Sequence, residues 1–443
     1  MESTGREMTA FLLKVADLGA QPLLVGGAVI DILANRQVKD WDIEIHGLAV
    51  SQIVEVVESL GHKANLAGAS FGVIKTMFDG VDIDLSVPRR ENKVGKGHKG
   101  FEATFDQMSH REAARRRDIT INAMMLDLLT EELIDPFDGA SDLAEGRIRA
   151  VDANTFAEDP LRVLRVVQLL PRKGKFVEPS TINLCRSMIG SFYELPAERL
   201  LEEFRKLLLK AKKPSLGLEF LNDCGWLMHF PELNALVGCQ QNPEHHPEGD
   251  VWTHTMMVVD AAAEIRSEIP EDLRFPFMLA ALLHDVGKPS TTAPDLSSHG
   301  HDKAGVPIAS EFLSRIKASN AVKSITLSLV EFHMRPWQLL SGEAKLSAWR
   351  RLRLKVDLNL LVMLAVADHA GRLGHSVREV KNAAKPTFDI IRSLDDEPTA
   401  PLVTGKDLIE RGFAPGPEMG KKLRELFELQ LEGATREELL ASL

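Results

Sequence analysis

Asp40-Trp41-Asp42 places two carboxylates two residues apart at the head of a run that alternates apolar and polar residues. Side chains alternate along a strand, so Asp40, Asp42 and Glu44 are expected on one face and Trp41, Ile43 and Ile45 on the other. Carboxylates about 6–7 Å apart on one strand face can hold two divalent ions about 3.5–4 Å from each other, the arrangement that serves phosphoryl transfer. Val81-Asp82-Ile83-Asp84-Leu85 repeats the alternation and offers a third carboxylate, from Asp82 or Asp84. Upstream, Leu23-Leu24-Val25-Gly26-Gly27-Ala28-Val29-Ile30-Asp31 reads as a strand, a diglycine turn and the start of a helix. Such a turn lets backbone N–H groups approach an anion, and the following helix points its positive end there. A lone D-x-D is also an ordinary solvated strand face; the diglycine turn and the second acidic strand beside it are what point to nucleotide chemistry.

A second constellation lies downstream. His284-Asp285 ends the apolar run Phe277–Leu283, just before Val286-Gly287-Lys288-Pro289 stops it. Adjacent His and Asp can chelate one ion, and His254, inside Val251–Met257, and Asp368, after Leu360–Ala367, complete a mononuclear nitrogen and oxygen set for a divalent metal (Mg²⁺, Mn²⁺ or Ni²⁺). His299, His301 and His333 are further candidate ligands or substrate contacts.

Between the two, Asp159-Pro160 is expected to open a helix, with an acceptor at the N-cap and a ring at the first helical position. Arg162 lies three residues on, so the pair can form a local ion pair or present donors and acceptors to a base edge. Together these segments resemble the class II tRNA nucleotidyltransferase and bacterial poly(A) polymerase superfamily. Gly26-Gly27-Ala28-Val29-Ile30-Asp31 is similar to its G-G-x-V-R-D opening and Asp40-Trp41-Asp42 to its metal-binding D-x-D. Arg115-Arg116-Arg117-Asp118-Ile119-Thr120-Ile121-Asn122-Ala123-Met124 resembles R-R-D-F-T-I-N-A-M, and Glu158-Asp159-Pro160-Leu161-Arg162-Val163-Leu164-Arg165 resembles E-D-x-x-R-x-x-R. His254, His284-Asp285 and Asp368 resemble the metal quartet of an appended HD phosphohydrolase domain.

The resemblance implies template-independent addition of CCA to tRNA 3′ ends from CTP and ATP, with Mg²⁺ in the head. Its alternatives are poly(A) addition and partial CC or A addition; a rival of another class is an HD phosphohydrolase with an RNA-binding head. It implies Asp40, Asp42 and Asp84 as metal-binding catalytic groups, Asp84 being preferred over Asp82 by a register that runs on to Arg89. Gly26, Gly27, Arg117, Asp118 and Asn122 become nucleotide contacts. Asp159 and Arg162 become a protein template oriented by Glu158 and Arg165. Two positions depart from the pattern: Asp84 stands where Glu is usual, and Ile30 where an Arg is expected near the phosphates. Either other cations, from Arg115–Arg117 or the Arg89–Lys99 stretch, compensate for Ile30, or it packs. The loop Arg89–Phe105, with Gly95-Lys96-Gly97-His98-Lys99-Gly100-Phe101, occupies the segment linked to nucleotide switching. The HD quartet implies phosphatase or phosphodiesterase activity.

These groups need elements to hold them, and 443 residues with 44% hydrophobic content are enough for several cores. The fold class expected is α+β: a small mixed α/β nucleotidyltransferase head (1–148), an all-helical neck and body (149–238), a helical HD domain (239–395) and a helical tail (396–443). Strand signals lie at Pro22–Val25, Trp41–Ile45, Gly72–Phe78, Val81–Val87 and Ile119–Leu126; helical periodicity dominates from Glu158, with stops at Pro171, Pro214, Pro231, Pro289 and Pro336. A net charge of −11 excludes a bulk electrostatic grip on RNA and leaves local basic surfaces, such as Lys206, Lys210, Lys212 and Lys213. Cys185, Cys224 and Cys239 lack zinc-type spacing, which fits a reducing cytoplasm. Neither a signal-peptide pattern nor a membrane-length apolar run appears, and no membrane or obligate protein partner is implied.

Overall fold

A computed structural model describes residues 5–38, 40–68, 73–88, 90–93, 101–104, 108–394 and 399–443, with backbone alone at 90–93 and 101–104. Arg89, most of the Arg89–Phe105 loop and Gly72 lie outside the described residues. The chain divides into two compact units, Met1–Leu207 with Leu216–Trp226, and Leu208–Ser215 with Leu227–Leu443.

The first unit opens with α1 (Arg6–Asp17), β1 (Gln21–Val25), α2 (Gly27–Leu33), β2 (Trp41–His46) and α3 (Val50–Ser59). It continues through β3 (Asn65–Gly68), β4 (Val73–Phe78), β5 (Val81–Ser86), β6 (Arg90–Lys93), β7 (Phe101–Thr104), α4 (His110–Arg115), β8 (Met125–Asp127) and β9 (Leu133–Ile134). Seven strands form one sheet in the order β3-β4-β5-β2-β1-β8-β9, with β2 and β5 parallel and the other pairs antiparallel. Central β1 is apolar from Pro22 to Val25 because both its faces are covered. Trp41, Ile43 and Ile45 of β2 turn into the core, each isoleucine contributing about 2 kcal/mol on burial. Gly26, with φ 70°, ends β1 in a conformation that side-chain-bearing residues rarely adopt, and so turns the chain into α2.

Next come α5 (Gly139–Glu145), β10 (Arg147–Ile148), α6 (Ala153–Ala157), α7 (Leu161–Lys173), β11 (Phe176–Val177), α8 (Pro179–Ser187), α9 (Ala197–Lys210) and α10 (Ser215–Asp223). Four expectations are corrected here. Ile119–Leu126 is not one strand: Ile119 makes an isolated bridge to Ala150, Thr120–Asn122 is a 3₁₀ turn and only Met125–Asp127 joins the sheet. The Asp118 carboxylate accepts from Ile119 N and Asn122 Nδ2, and those local bonds compete with a sheet ladder. Pro171 does not stop α7, which runs on to Lys173; Pro231, Pro289 and Pro336 sit in first turns, where no N–H is needed, and start helices instead of ending them. The region after Glu158 is not wholly helical, since β11 pairs in parallel with β10. Finally, α7 begins at Leu161 with Pro160 at its N-cap, one residue later than expected, although the Asp159 carboxylate still accepts from Leu161 N at 3.0 Å.

Every element described in the second unit is helical. It holds α11 (Pro231–Asn234), α12 (Val251–Ile265), α13 (Glu271–Leu283), α14 (Lys288–Thr291), α15 (His301–Arg315) and α16 (Asn320–Phe332). These are followed by α17 (Arg335–Ser341), α18 (Leu346–Arg353), α19 (Leu358–Ala370), α20 (Val377–Ala383), α21 (Lys385–Ser393) and a terminal trio, α22 (Gly405–Glu410), α23 (Pro417–Leu431) and α24 (Arg436–Ala441). The trio packs on its own cluster around Val403, Leu408, Leu426 and Leu439. α19 is apolar nearly all round and sits against α12, α13 and α16, which explains why its sequence lacks an amphipathic stripe. No helix among the described residues is long and apolar enough to cross a membrane.

Gly287 governs how α15 meets the end of α13: an added Cβ would overlap the His301 carbonyl and the Gly305 backbone. Gly287→Ala is therefore expected to destabilise the protein by about 2 kcal/mol through overpacking, read as a lower Tm. A variant melting with the wild type would show that this close approach is unnecessary.

Candidate nucleotide site and metal centre

In the first unit the strand register brings the acids together. β2 and β5 pair in parallel with Asp42 opposite Asp84, while Asp82 lies two pairs further along β5, opposite Met77 of β4. Asp40, just before β2, and Asp42 are both exposed. An ideal Cβ on Gly26 would stand 3.8 Å from Asp42 Oδ2, so the carboxylate faces the diglycine turn. Lys75 Nζ lies 3.1 Å from Asp84 Oδ1. The strands' desolvation is the largest influence on Asp42 and raises its pKa; Arg117 opposes it, and Asp84 and Asp40 add to it. These acids are less tightly gathered than a closed metal site: among the described residues, groups of three or more donors within 4.8 Å occur only in the second unit.

Glu44 shares their strand face as expected but is not a free surface acid. It is fully buried against Arg116, against Arg117 at 3.2 Å and against His46 Nε2 at 3.0 Å. Burial alone would raise its pKa, yet the His46 hydrogen bond and the two guanidiniums hold it well below the carboxylate range. Glu44 thereby anchors Arg117, whose charge also acts on Asp42.

Three further ties bind the motif segments. Arg165 Nε stands 2.8 Å from Asp118 Oδ2, and Asn122 Nδ2 donates to Asp118 Oδ1 at 3.0 Å. Arg162 donates from Nη1 to Thr155 O at 2.6 Å and from Nη2 to Arg116 O at 2.7 Å. Asp118 is buried, and although burial works to raise its pKa, Arg165 and the Asn122 and Ile119 donors lower it. Glu158 and Asp159 are half-buried at the α6–α7 junction. Ile30 is 1% exposed and packs in the core, with Arg36, Arg172 and Lys173 on the surface beside it.

In the second unit, His254 on α12, His284 and Asp285 after α13, and Asp368 on α19 meet in one buried centre. His254 Nε2 lies 3.0 Å from Asp368 Oδ1 and 3.8 Å from Asp285 Oδ2; His284 Nε2 lies 3.2 Å from Asp285 Oδ2 and 3.9 Å from Asp368 Oδ1. His284 Nε2 has no hydrogen-bond partner although it is buried, and two carboxylates face it. That donor set fits a divalent cation. Burial opposes a charge on His254, but its hydrogen bonds to Asp368 and Glu248 push its pKa up to about 9.

Several groups here were not legible as site residues. Glu248 Oε1 lies 2.8 Å from Nδ1 of both His246 and His254, in the manner of a carboxylate that orients a ligating imidazole. Lys288 Nζ lies 2.7 Å from Asp285 Oδ2 and donates to Gln241. Glu248 and His246 sit in the irregular segment before α12, and only the loop's richness in His, Asn and Pro hinted at them. His301 and His333 join the centre, whereas His299 is exposed.

Family models match three stretches: "Poly A polymerase head domain" over residues 23–149, "Probable RNA and SrmB- binding site of polymerase A" over 176–236 and "HD domain" over 251–373. The chain is 34% identical over 417 residues to the multifunctional CCA protein of Halorhodospira halophila, covering 90% of this chain and 94% of that one. It is 35% identical over 367 residues to that of Neisseria meningitidis, covering 80% and 83%. Its fold is similar to a Bacillus stearothermophilus CCA-adding enzyme in complex with CTP (TM-score 0.68, 19% identity, 99% and 97% covered) and to a Thermotoga maritima CCA-adding enzyme complexed with tRNA (TM-score 0.63, 20% identity, 100% and 97% covered).

Because its pKa is depressed in the folded state, Glu44 contributes stability above the ordinary glutamate value, and that contribution fades as pH falls and the unfolded chain takes up the proton. Glu44→Gln should cost about 3 kcal/mol at pH 7, a gap that narrows below about pH 4 in urea titrations. A pH-independent gap would remove the ion pairs as the cause.

Proposed function

The chain belongs to the multifunctional CCA protein family, and on that premise we propose that it extends tRNA 3′ ends with CCA, taking CTP and ATP without a nucleic-acid template. The observation that carries the reading is Asp42, set beside Gly26 and directly across from Asp84. Asp40, Asp42 and Asp84 would hold Mg²⁺, which when bound activates the terminal ribose hydroxyl and steadies the departing pyrophosphate. The register supports Asp84 over Asp82, since Asp84 stands directly opposite Asp42 and adds to the rise of its pKa.

The chain's own groups do the rest. Gly26 and Gly27 offer backbone to the triphosphate, and Arg117, tethered by Glu44, offers it a cation. Asp118 keeps Asn122 and Arg165 in place, and Asn122 reaches the sugar. Asp159 and Arg162 select the base, with Glu158 and Arg165 holding them; the two carbonyl bonds of Arg162 fix its guanidinium plane. Ile30 packs, and Arg117 serves the phosphates in place of the arginine usual there.

In the second unit His254, His284, Asp285 and Asp368 would hold a divalent ion, Mg²⁺, Mn²⁺ or Ni²⁺, which when bound supplies a Lewis acid for phosphate ester hydrolysis. This is the second activity, phosphatase or phosphodiesterase. The four-part division at 148, 238 and 395 and a cytoplasmic location complete the assignment, with no obligate protein partner.

Incubating the protein with tRNA truncated before CCA, with each nucleotide and with both, then sequencing the products, tests it. CCA on the mixed sample is expected; CC alone, A alone or an adenosine run would redirect the reading, and phosphate release without incorporation would leave an HD hydrolase with an RNA-binding head. Asp42→Asn should lower kcat at least about 1,000-fold with an unchanged Tm, because it removes an exposed acid crowded by like charges. Arg162→Ala should blunt the discrimination between CTP, ATP and other nucleotides; a folded variant with intact selectivity would remove the templating role.

A further inference from the structure

We infer that the groove where the ends of α2 and α7 meet α5 is a binding site for a small amphipathic anion, a phosphate or carboxylate that carries a short apolar body. It does not rest on the nucleotide site: Arg172, on its rim, lies ten residues beyond Arg162, about 15 Å along α7.

The groove holds a cavity of about 420 Å³, within the range of small-ligand sites. Its floor is aliphatic, with Ile30, Leu33 and Ala34 from the end of α2 and Ala140, Leu143 and Ala144 from α5. Positions 140, 143 and 144 recur at helical spacing, so α5 turns one small apolar face to the opening. Leu33 keeps 43% of its surface exposed there, an apolar side chain left uncovered at a helix end. An inorganic ion would leave this floor in water, whereas each CH₂ of a ligand laid on it strengthens binding about fourfold.

The rim is cationic, although the chain as a whole carries a net charge of −11. Arg36, Arg172 and Lys173 form it. Arg36 contacts Asp31 Oδ1 from Nη2 at 2.8 Å and from Nε at 3.1 Å, and Lys173 Nζ lies 3.7 Å from the same oxygen. Arg172 donates to the neutral amide of Gln168 and feels Glu203, which already pairs with Lys206 at 2.8 Å. Arg36, Arg172, Lys173 and Lys206 thus share Asp31 and Glu203. Lys173 shows the consequence: its side chain is only 13% exposed, and burial, with Arg36 and Arg172 adding to it, lowers its pKa against the pull of Asp31. The negative ends of α2 and α7 favour cations, but that attraction fades within one turn and calls for neither a crowded trio nor an apolar floor. An anion seated between Arg36 and Lys173 relieves the crowding with charge-assisted hydrogen bonds, while its apolar body covers Leu33 and Leu143.

The probe is hexyl phosphate, titrated into the full chain by isothermal calorimetry, with inorganic phosphate and heptanoate as the other arms. One site per chain is expected, at least about tenfold tighter for hexyl phosphate or heptanoate than for inorganic phosphate, and the tighter of the two identifies the headgroup. Saturating CTP with Mg²⁺ should leave that binding intact. Lys173→Met should weaken it at least about tenfold, while the Tm without probe stays level or rises because a crowded cation is gone. Ala144→Trp fills the groove from an exposed position and should bring hexyl phosphate down to the level of inorganic phosphate. Binding no tighter than that of inorganic phosphate, displacement by CTP, or binding unchanged in both variants would overturn the site. A lowered Tm for Lys173→Met with unaltered binding would make Lys173 a helix-end cation and overturn it too. A sedimenting dimer that the probe dissociates would give the groove to a second copy of the chain instead. Ala144→Trp decides even where Lys173→Met fails to fold.

Discussion

Both candidate sites depend on one constraint: acceptor atoms are brought together with too few protons to separate them. In the first unit the acceptors are carboxylates, Asp40, Asp42 and Asp84, whose mutual repulsion adds to desolvation in raising the Asp42 pKa. In the second they are imidazole lone pairs and the oxygens of Asp285 and Asp368, packed where water does not reach. Unpaired charge buried as in the second centre costs several kcal/mol, so that arrangement calls for cations, supplied by side chains or by metal. Lys75 and Arg117 supply part of that charge in the first unit, and Lys288 does so in the second.

A second theme is that arginines join the motif segments. Glu44 on β2 holds Arg116 and Arg117; the Arg116 carbonyl receives Arg162; Arg165, one turn further along α7, pairs with Asp118. The strand that bears Asp42 is thus linked through ion pairs and backbone bonds to the helix that bears Arg162. A rigid link of this kind suits a site in which protein groups, in place of a template strand, set the base edge. In the second unit the corresponding device is packing: α12, α13 and α19 are buried helices, so the histidines and aspartates that they carry, or that directly follow α13, have little freedom to move.

Much of this was legible because it is written in local pattern. The alternation in Trp41–His46 and Val81–Ser86 gave the strands and their faces, the diglycine gave the turn, and the apolar runs before His284 and Asp368 gave helices that end at or hold those two residues. Ile119–Leu126 was misread because the Asp118 carboxylate offers Ile119 and Asn122 better partners than a ladder would. Pro171 was misread as a stop because proline's effect depends on where in the helix it falls; near the last turn of α7 it is tolerated. Glu248 and His246 carry no periodicity at all, and only contact with His254 identifies them.

The sequence by itself determined which residue types are present and which share a strand face or a helix turn, since alternation and helical repeat act over a few residues. That was enough for the α+β class, the acid strand beside the diglycine turn and the gathering of His254, His284, Asp285 and Asp368 as a candidate set. Tertiary structure alone decided what lies across a gap in the chain: that Asp84 stands opposite Asp42, that Glu44 is spent on two arginines, and that Asp285 has histidines on both its oxygens. Pairing register, burial and hydrogen-bond geometry between distant segments set those outcomes, and no local repeat encodes them.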